Sequence, residues 1–118
     1  MKKKFYITTA IDYVNGNPHI GHAFEKVQAD VLARYHRALG EDVFFLTGTD
    51  EHGAKIARAA AEAGVPVRKF VDKNVKVFQD LVKALNISND DFIRTSDKKI
   101  HWPGAQKMWK ALEHSGDI

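Results

Sequence analysis

Twice in its first half this chain runs through a short apolar stretch, breaks into a polar loop, and resumes with its apolar residues at helical spacing. The first stretch, Phe5 to Ala10, is β-branched and aromatic and leads into Asn15-Gly16-Asn17-Pro18, the pattern of a buried strand running into a loop. From Phe24 the apolar positions Val27, Val31, Leu32, Tyr35 and Leu39 predict a helix of about 18 residues, starting near His22 and stopping at Gly40. Its polar face carries Glu25, Lys26, Asp30 and Arg34.

The alternation then repeats. Asp42 to Thr47 is a second strand followed by a polar loop, Gly48 to Gly53. Lys55 to Ala63 is alanine-rich and helical as far as Gly64, and Pro66 opens another helix whose face is Phe70, Val71, Asn74, Phe78, Leu81, Val82 and Leu85. After a turn over Asn86 to Asp91, Phe92 to Thr95 reads as a third strand and Pro103 to Glu113 as a last helix. In that helix Ala105, Met108, Trp109 and Leu112 lie on one side, and Met108 and Trp109 are expected in the core. Strands alternating with helices call for an α/β fold, a parallel sheet flanked by helices with right-handed crossovers. In such sheets ligands bind beyond the carboxyl ends of the strands, where loops 11–22 and 47–53 would lie.

Composition narrows the chemistry. The chain has 118 residues, enough for one domain with a real core, and 44% of them are hydrophobic. It has no cysteine, which excludes disulfides, thiol catalysis and thiolate zinc within it. A net charge of +3 is too small to name a nucleic-acid partner. No apolar stretch approaches a membrane span or a signal-peptide core, so a cytoplasmic protein without membrane contact is the expectation. Neither a P-loop, a Gly-x-Gly-x-x-Gly turn nor a Gly-x-Ser-x-Gly elbow occurs.

Pro18-His19-Ile20-Gly21-His22 sits where the first loop meets a helix N-terminus, a position whose free backbone N–H groups and partial positive charge favour an anion. His19 and His22 can both donate N–H to phosphate oxygens, and Gly21 leaves room for a flat base or the phosphate chain. The same pair also suits a plain helix cap, or a zinc site completed by Asp50 and His52. Asp50, at the end of the second strand, can receive a substrate ammonium, or it and Thr49 can cap the next helix. Ile11, Tyr13 and Val14 offer a pocket wall or simply the end of the core.

Thr8 to Asn15, Pro18 to Ala23, Ala29 to Tyr35 and Phe44 to Gly53 together resemble the amino-terminal part of the bacterial methionyl-tRNA synthetases, a family of class I aminoacyl-tRNA synthetases. The similarity covers essentially the whole chain. The His-Ile-Gly-His signature alone is shared with other class I synthetases and with small nucleotidyltransferases. Its combination with Tyr13 and Thr47-Gly48-Thr49-Asp50-Glu51-His52-Gly53 is particular to the methionine enzymes. The resemblance implies a Rossmann-type fold that binds ATP, with Mg2+ accompanying the nucleotide, and methionine. It also implies a reaction that makes methionyl-adenylate and passes the methionyl group to tRNA(Met). His19 and His22 would hold the ATP phosphates as catalytic residues, Gly21 would lie against the adenosine, and Ile11, Tyr13 and Asp50 would bind methionine. Asp12 departs from the tyrosine or proline common at its position. The family's Lys-Met-Ser-Lys-Ser loop, zinc-bearing insertion and anticodon-binding domain have no counterpart here. Residues 1–118 are therefore expected to be the amino-terminal portion of the catalytic domain, incomplete alone, with any zinc in the remainder of the enzyme. A small nucleotidyltransferase with a His-x-Gly-His phosphate site, or a non-catalytic folded fragment, are the alternatives.

Overall fold

The computed structural model describes residues 2–118. Its order is β1 (Lys4–Thr8), β2 (Asp12–Tyr13), α1 (Ile20–Ala38), β3 (Asp42–Asp50), α2 (Ala54–Glu62), α3 (Val67–Ala84), β4 (Asp91–Arg94) and α4 (His101–Ser115). All strand pairs are parallel, and β3 is common to them. On one side it pairs with β1, from Lys4↔Asp42 to Thr8↔Leu46, and beyond it with β2, at Asp12↔Thr49 and Tyr13↔Asp50. Leu46 pairs with both Thr8 and Asp91, so β4 lies on the opposite edge of β3. The expected α/β architecture is present.

Between Thr8 and Asp12 the chain advances four residues while β3 advances three, from Leu46 to Thr49. Such a one-residue excess reverses which side chains point inward. Phe5, Ile7 and Thr9 are the more buried positions before it, and Asp12 and Val14 after it. The reversal turns the Asp12 carboxylate into the interior and leaves Tyr13 facing out.

Two clusters form the core. Ala29 and Ala33 of α1 pack on Phe45, with Ile7, Val43 and Ile87 around them, and Val14, Ile56, Val71, Val75 and Phe78 join α2 and α3 to the strand ends. Gly48 is required at the β3–β4 seam, because a Cβ there would stand 2.1 Å from the Ile93 carbonyl oxygen.

Four expectations need correction. The second strand does not stop at Thr47 but continues to Asp50, with Thr47, Gly48 and Thr49 buried between neighbouring strands, so the loop there is only 51–53. The first loop contains the short strand β2. On α1 the apolar stripe Phe24, Val27, Val31, Leu32, Tyr35 and Leu39 is exposed, and the buried residues are Lys26, Ala29, Asp30 and Ala33. The alanines let the helix backbone approach the sheet, and the two charges are tolerated because each has a partner: Asp12 for Lys26, and Ser88 and Arg34 for Asp30. On α4, Met108, Trp109 and Leu112 are exposed and no residue is buried, since nothing among the described residues covers that face.

Candidate active site

Helix α1 begins with a reciprocal cap made of histidines. The His19 ring accepts at Nδ1 from the Gly21 N–H (3.1 Å), and the His22 ring accepts at Nδ1 from the His19 N–H (3.0 Å), with the two rings 3.8 Å apart. This is the logic of a capping box with imidazoles replacing the hydroxyl and carboxyl. Two backbone donors expected to be free for an anion are therefore already satisfied. An imidazole that accepts at Nδ1 keeps its proton on Nε2. The donors this helix end offers a ligand are then the two Nε2–H groups. Gly21 is needed for a local reason, since a Cβ there would lie 2.9 Å from Cε1 of His19.

Beneath His22 lie two groups that the residue pattern did not single out as a pair. Lys26, fully buried, makes an ion pair with Oδ2 of Asp12, itself 4% exposed. The other carboxylate oxygen, Oδ1, stands 3.9 Å from Nε2 of His22, and the Phe78 ring meets the His22 ring edge-on at 5.3 Å. The available signal was spacing. Lys26 follows His22 by four positions and so shares its helix face.

Strand β2 brings the first loop against the end of β3, pairing Tyr13 with Asp50. Ile11 and Tyr13 are about half exposed, whereas Val14 is fully buried in the core. Gly53 has φ +119°, and a Cβ there would come within 3.0 Å of the Tyr13 hydroxyl, so that turn needs glycine. Asp50 accepts from the His52 N–H (3.2 Å), and α2 has Gly53 as its N-cap with no side-chain cap, so neither Asp50 nor Thr49 serves as one.

The turn is held from below by Glu51. Its carboxylate accepts two hydrogen bonds from Arg94 (2.7 and 2.9 Å) and others from Thr49 and Ser96, while Arg94 also reaches Asp72 (2.6 Å). Burial pushes the Glu51 carboxyl upward, but the hydrogen bonds from Arg94, Ser96 and Thr49 outweigh it and hold the group below its ordinary value. Glu51 and Arg94 thus tie β3, β4 and α3 together under Asp50.

The sheet edge gathers His19, Gly21 and His22 at the start of α1 and Ile11, Tyr13 and Asp50 at the adjoining strand ends. Among the described residues, no three His, Asp or Glu side chains converge as metal ligands, and the His19, His22, Asp50, His52 zinc set is not assembled. An open, largely apolar cleft of about 340 Å³ lies to one side, between His52, Thr95 and the α4 residues Trp102 and Trp109.

Comparison with known proteins follows the same lines. The model for class I tRNA synthetases (M) matches residues 5–118. The methionine–tRNA ligase of Brucella suis is 49% identical over 117 residues, 99% of this chain and 22% of that protein. The Mycobacterium bovis methionine–tRNA ligase is 51% identical over 116 residues, 98% of this chain and 22% of its own length. Mycobacterium tuberculosis methionyl-tRNA synthetase in complex with methionyl-adenylate superposes on 97% of this chain, and on 22% of that one, with a TM-score of 0.93 and 49% identity. This chain thus spans about a fifth of the length of the relatives it matches. The strand-loop-helix order, the paired histidines at the start of α1 and the match over residues 5–118 agree: the chain belongs to the methionyl branch of the class I tRNA synthetases.

Proposed function

We propose that this chain is the amino-terminal part of the catalytic domain of a cytoplasmic methionine–tRNA ligase, and that it supplies one half of the site that activates methionine. The observation that carries this reading is the placement of His19 and His22, whose ring centroids lie 3.8 Å apart, beside the strand ends that carry Tyr13 and Asp50. In the reaction, an oxygen of the methionine carboxylate attacks the α-phosphorus of ATP, the bond to the bridging oxygen breaks, and pyrophosphate leaves. The methionyl group of the adenylate then passes to a terminal ribose hydroxyl of tRNA(Met).

Each residue has a physical task in that scheme. The Nε2–H groups of His19 and His22 donate to phosphate oxygens whose charge shifts as the α-phosphorus becomes five-coordinate. Donors fixed in advance by a helix cap need no reorganisation to do so. Gly21 offers backbone to the adenosine. The Asp50 carboxylate takes the ammonium of methionine, while Ile11 and Tyr13 wall its side chain. Mg2+ would arrive on the nucleotide, held chiefly by phosphates and water. Pyrophosphate contacts, the rest of the methionine pocket and tRNA binding fall to the remainder of the enzyme.

The deciding experiment is ATP–pyrophosphate exchange by the full-length protein, with each amino acid supplied singly. Exchange with methionine alone is expected. Exchange with a different amino acid overturns the assignment, and exchange with none points to the nucleotidyltransferase alternative. The 118-residue chain by itself is expected to show at least a hundredfold less exchange, of the order that loss of transition-state donors produces.

A further inference from the structure

We propose that the buried Asp12–Lys26 ion pair is a positioning unit for His22, fixing the imidazole from below while cancelling the carboxylate charge that would otherwise repel a polyphosphate. The inference rests on the reading of His22 as a phosphate donor. Three observations carry it.

The pair is fully enclosed, with side chains 0% and 2% exposed, so its geometry is set by packing rather than by solvent. A buried lysine is rare and needs a reason beyond stability, because two well-packed neutral side chains often serve a fold as well or better. The second observation is that Asp12 divides its oxygens. Oδ2 is held by Lys26, whereas Oδ1 faces Nε2 of His22 at 3.9 Å, inside Coulomb range but beyond a hydrogen bond. Its field therefore orients the Nε2–H edge without consuming the proton, which stays available to a ligand oxygen. The third is that His22 is held on its other sides by the His19 N–H at Nδ1, the His19 ring and the Phe78 edge, so Asp12 is the one charged group among these neighbours.

An unneutralised carboxylate this near a phosphate site would oppose an anionic ligand, and Lys26 removes that opposition from within the protein. Sheet and helix cooperate in this arrangement. The register shift before β2 turns Asp12 inward, and Lys26 on α1 follows His22 by four positions.

The test is a mutant cycle in the full-length enzyme, read by methionine-dependent exchange. The neutral pair Asp12→Asn with Lys26→Met preserves bulk and leaves no buried charge, so it is the variant most able to fold. It is expected to lower kcat about tenfold or more, as a displaced catalytic group does, with the KM for methionine within about twofold. In a His22→Ala background the same pair is expected to change the residual rate less than about twofold. Lys26→Met alone, which exposes the site to the Asp12 charge, is expected to raise the KM for ATP well above that of the neutral pair. An equal loss in both backgrounds, or no loss in either, overturns the proposal and reduces the pair to a structural contact, with the phosphate role of His22 still standing. Wild-type exchange in His22→Ala removes that phosphate role, and the proposal goes with it.

Discussion

Single residues carry the properties that can be tested without knowing the reaction. Gly48 is the clearest case, because the parallel β3–β4 seam closes on it. Gly48→Ala is expected to destabilise the fold by about 1–3 kcal/mol, the usual cost of forcing extra volume into a packed interior. Urea unfolding of the chain measures this, and an unchanged midpoint contradicts so tight a seam. Glu51 sets a pH dependence whose sign follows from its partners. Its folded-state value lies below the ordinary 4.5, so the carboxylate stabilises the fold above about pH 4.5 and the contribution is lost as pH falls toward the lowered value. Asp30, held down by Ser88 and Arg34 against the upward push of burial, acts in the same direction. Glu51→Gln is therefore expected to flatten the fall in stability on acidification, and an unaltered slope between pH 3 and 5 counts against the Glu51–Arg94 clamp. The Asp12–Lys26 pair is the residue-scale feature that the sequence concealed. A register shift of one residue has no signature in hydropathy, and nothing in composition shows which charge will be turned inward.

The secondary elements were legible where their signals are local. Glycine placed the stops of α1 and α2 and Pro66 the start of α3 closely, because these boundaries depend on local backbone conformations such as the positive φ at Gly40 and Gly64. What periodicity could not supply was the direction each face points. It finds a stripe of apolar residues on α1, but the sheet takes the opposite side, where Ala29 and Ala33 permit close approach and Lys26 and Asp30 find partners. The same holds for α4, whose Met108, Trp109 and Leu112 repeat at helical spacing yet stand in solvent. Candidate site residues were legible for a different reason. His19, Gly21, His22, Tyr13 and Asp50 lie at strand-to-helix junctions, and the α/β topology brings those junctions to one edge whatever the details of packing. The exposed stripe of α1 has a measurable consequence, since contiguous apolar surface drives association. The 118-residue chain is expected to self-associate in sedimentation experiments. Val31→Glu with Tyr35→Glu, which charges the stripe without touching a buried contact, is expected to shift it toward monomer. A chain that is already monomeric at high concentration contradicts this.

At the scale of the molecule, the radius of gyration of 16.5 Å exceeds the value of about 13.5 Å expected of a closed domain this long. The extents of 51 × 43 × 22 Å describe a slab. Exposed Tyr6 and Phe44 stack on one another on the sheet, and the apolar side of α1 lies open as well. These exposed apolar surfaces belong to a chain that spans about a fifth of the length of the relatives it matches. On the proposed reading, His19 and His22 would supply phosphate donors and Asp50 an ammonium acceptor at one edge, and half of the pocket around methionine would come from elsewhere. The central claim is that this edge stabilises the transition state of methionine activation, and it is tested most directly by the rate of methionyl-adenylate formation in the full-length His22→Ala enzyme, measured beside its methionine affinity. A fall of about a hundredfold or more in the rate, with methionine affinity within about twofold of wild type, is the expected result. An unchanged rate, or a loss of affinity as large as the loss of rate, contradicts it.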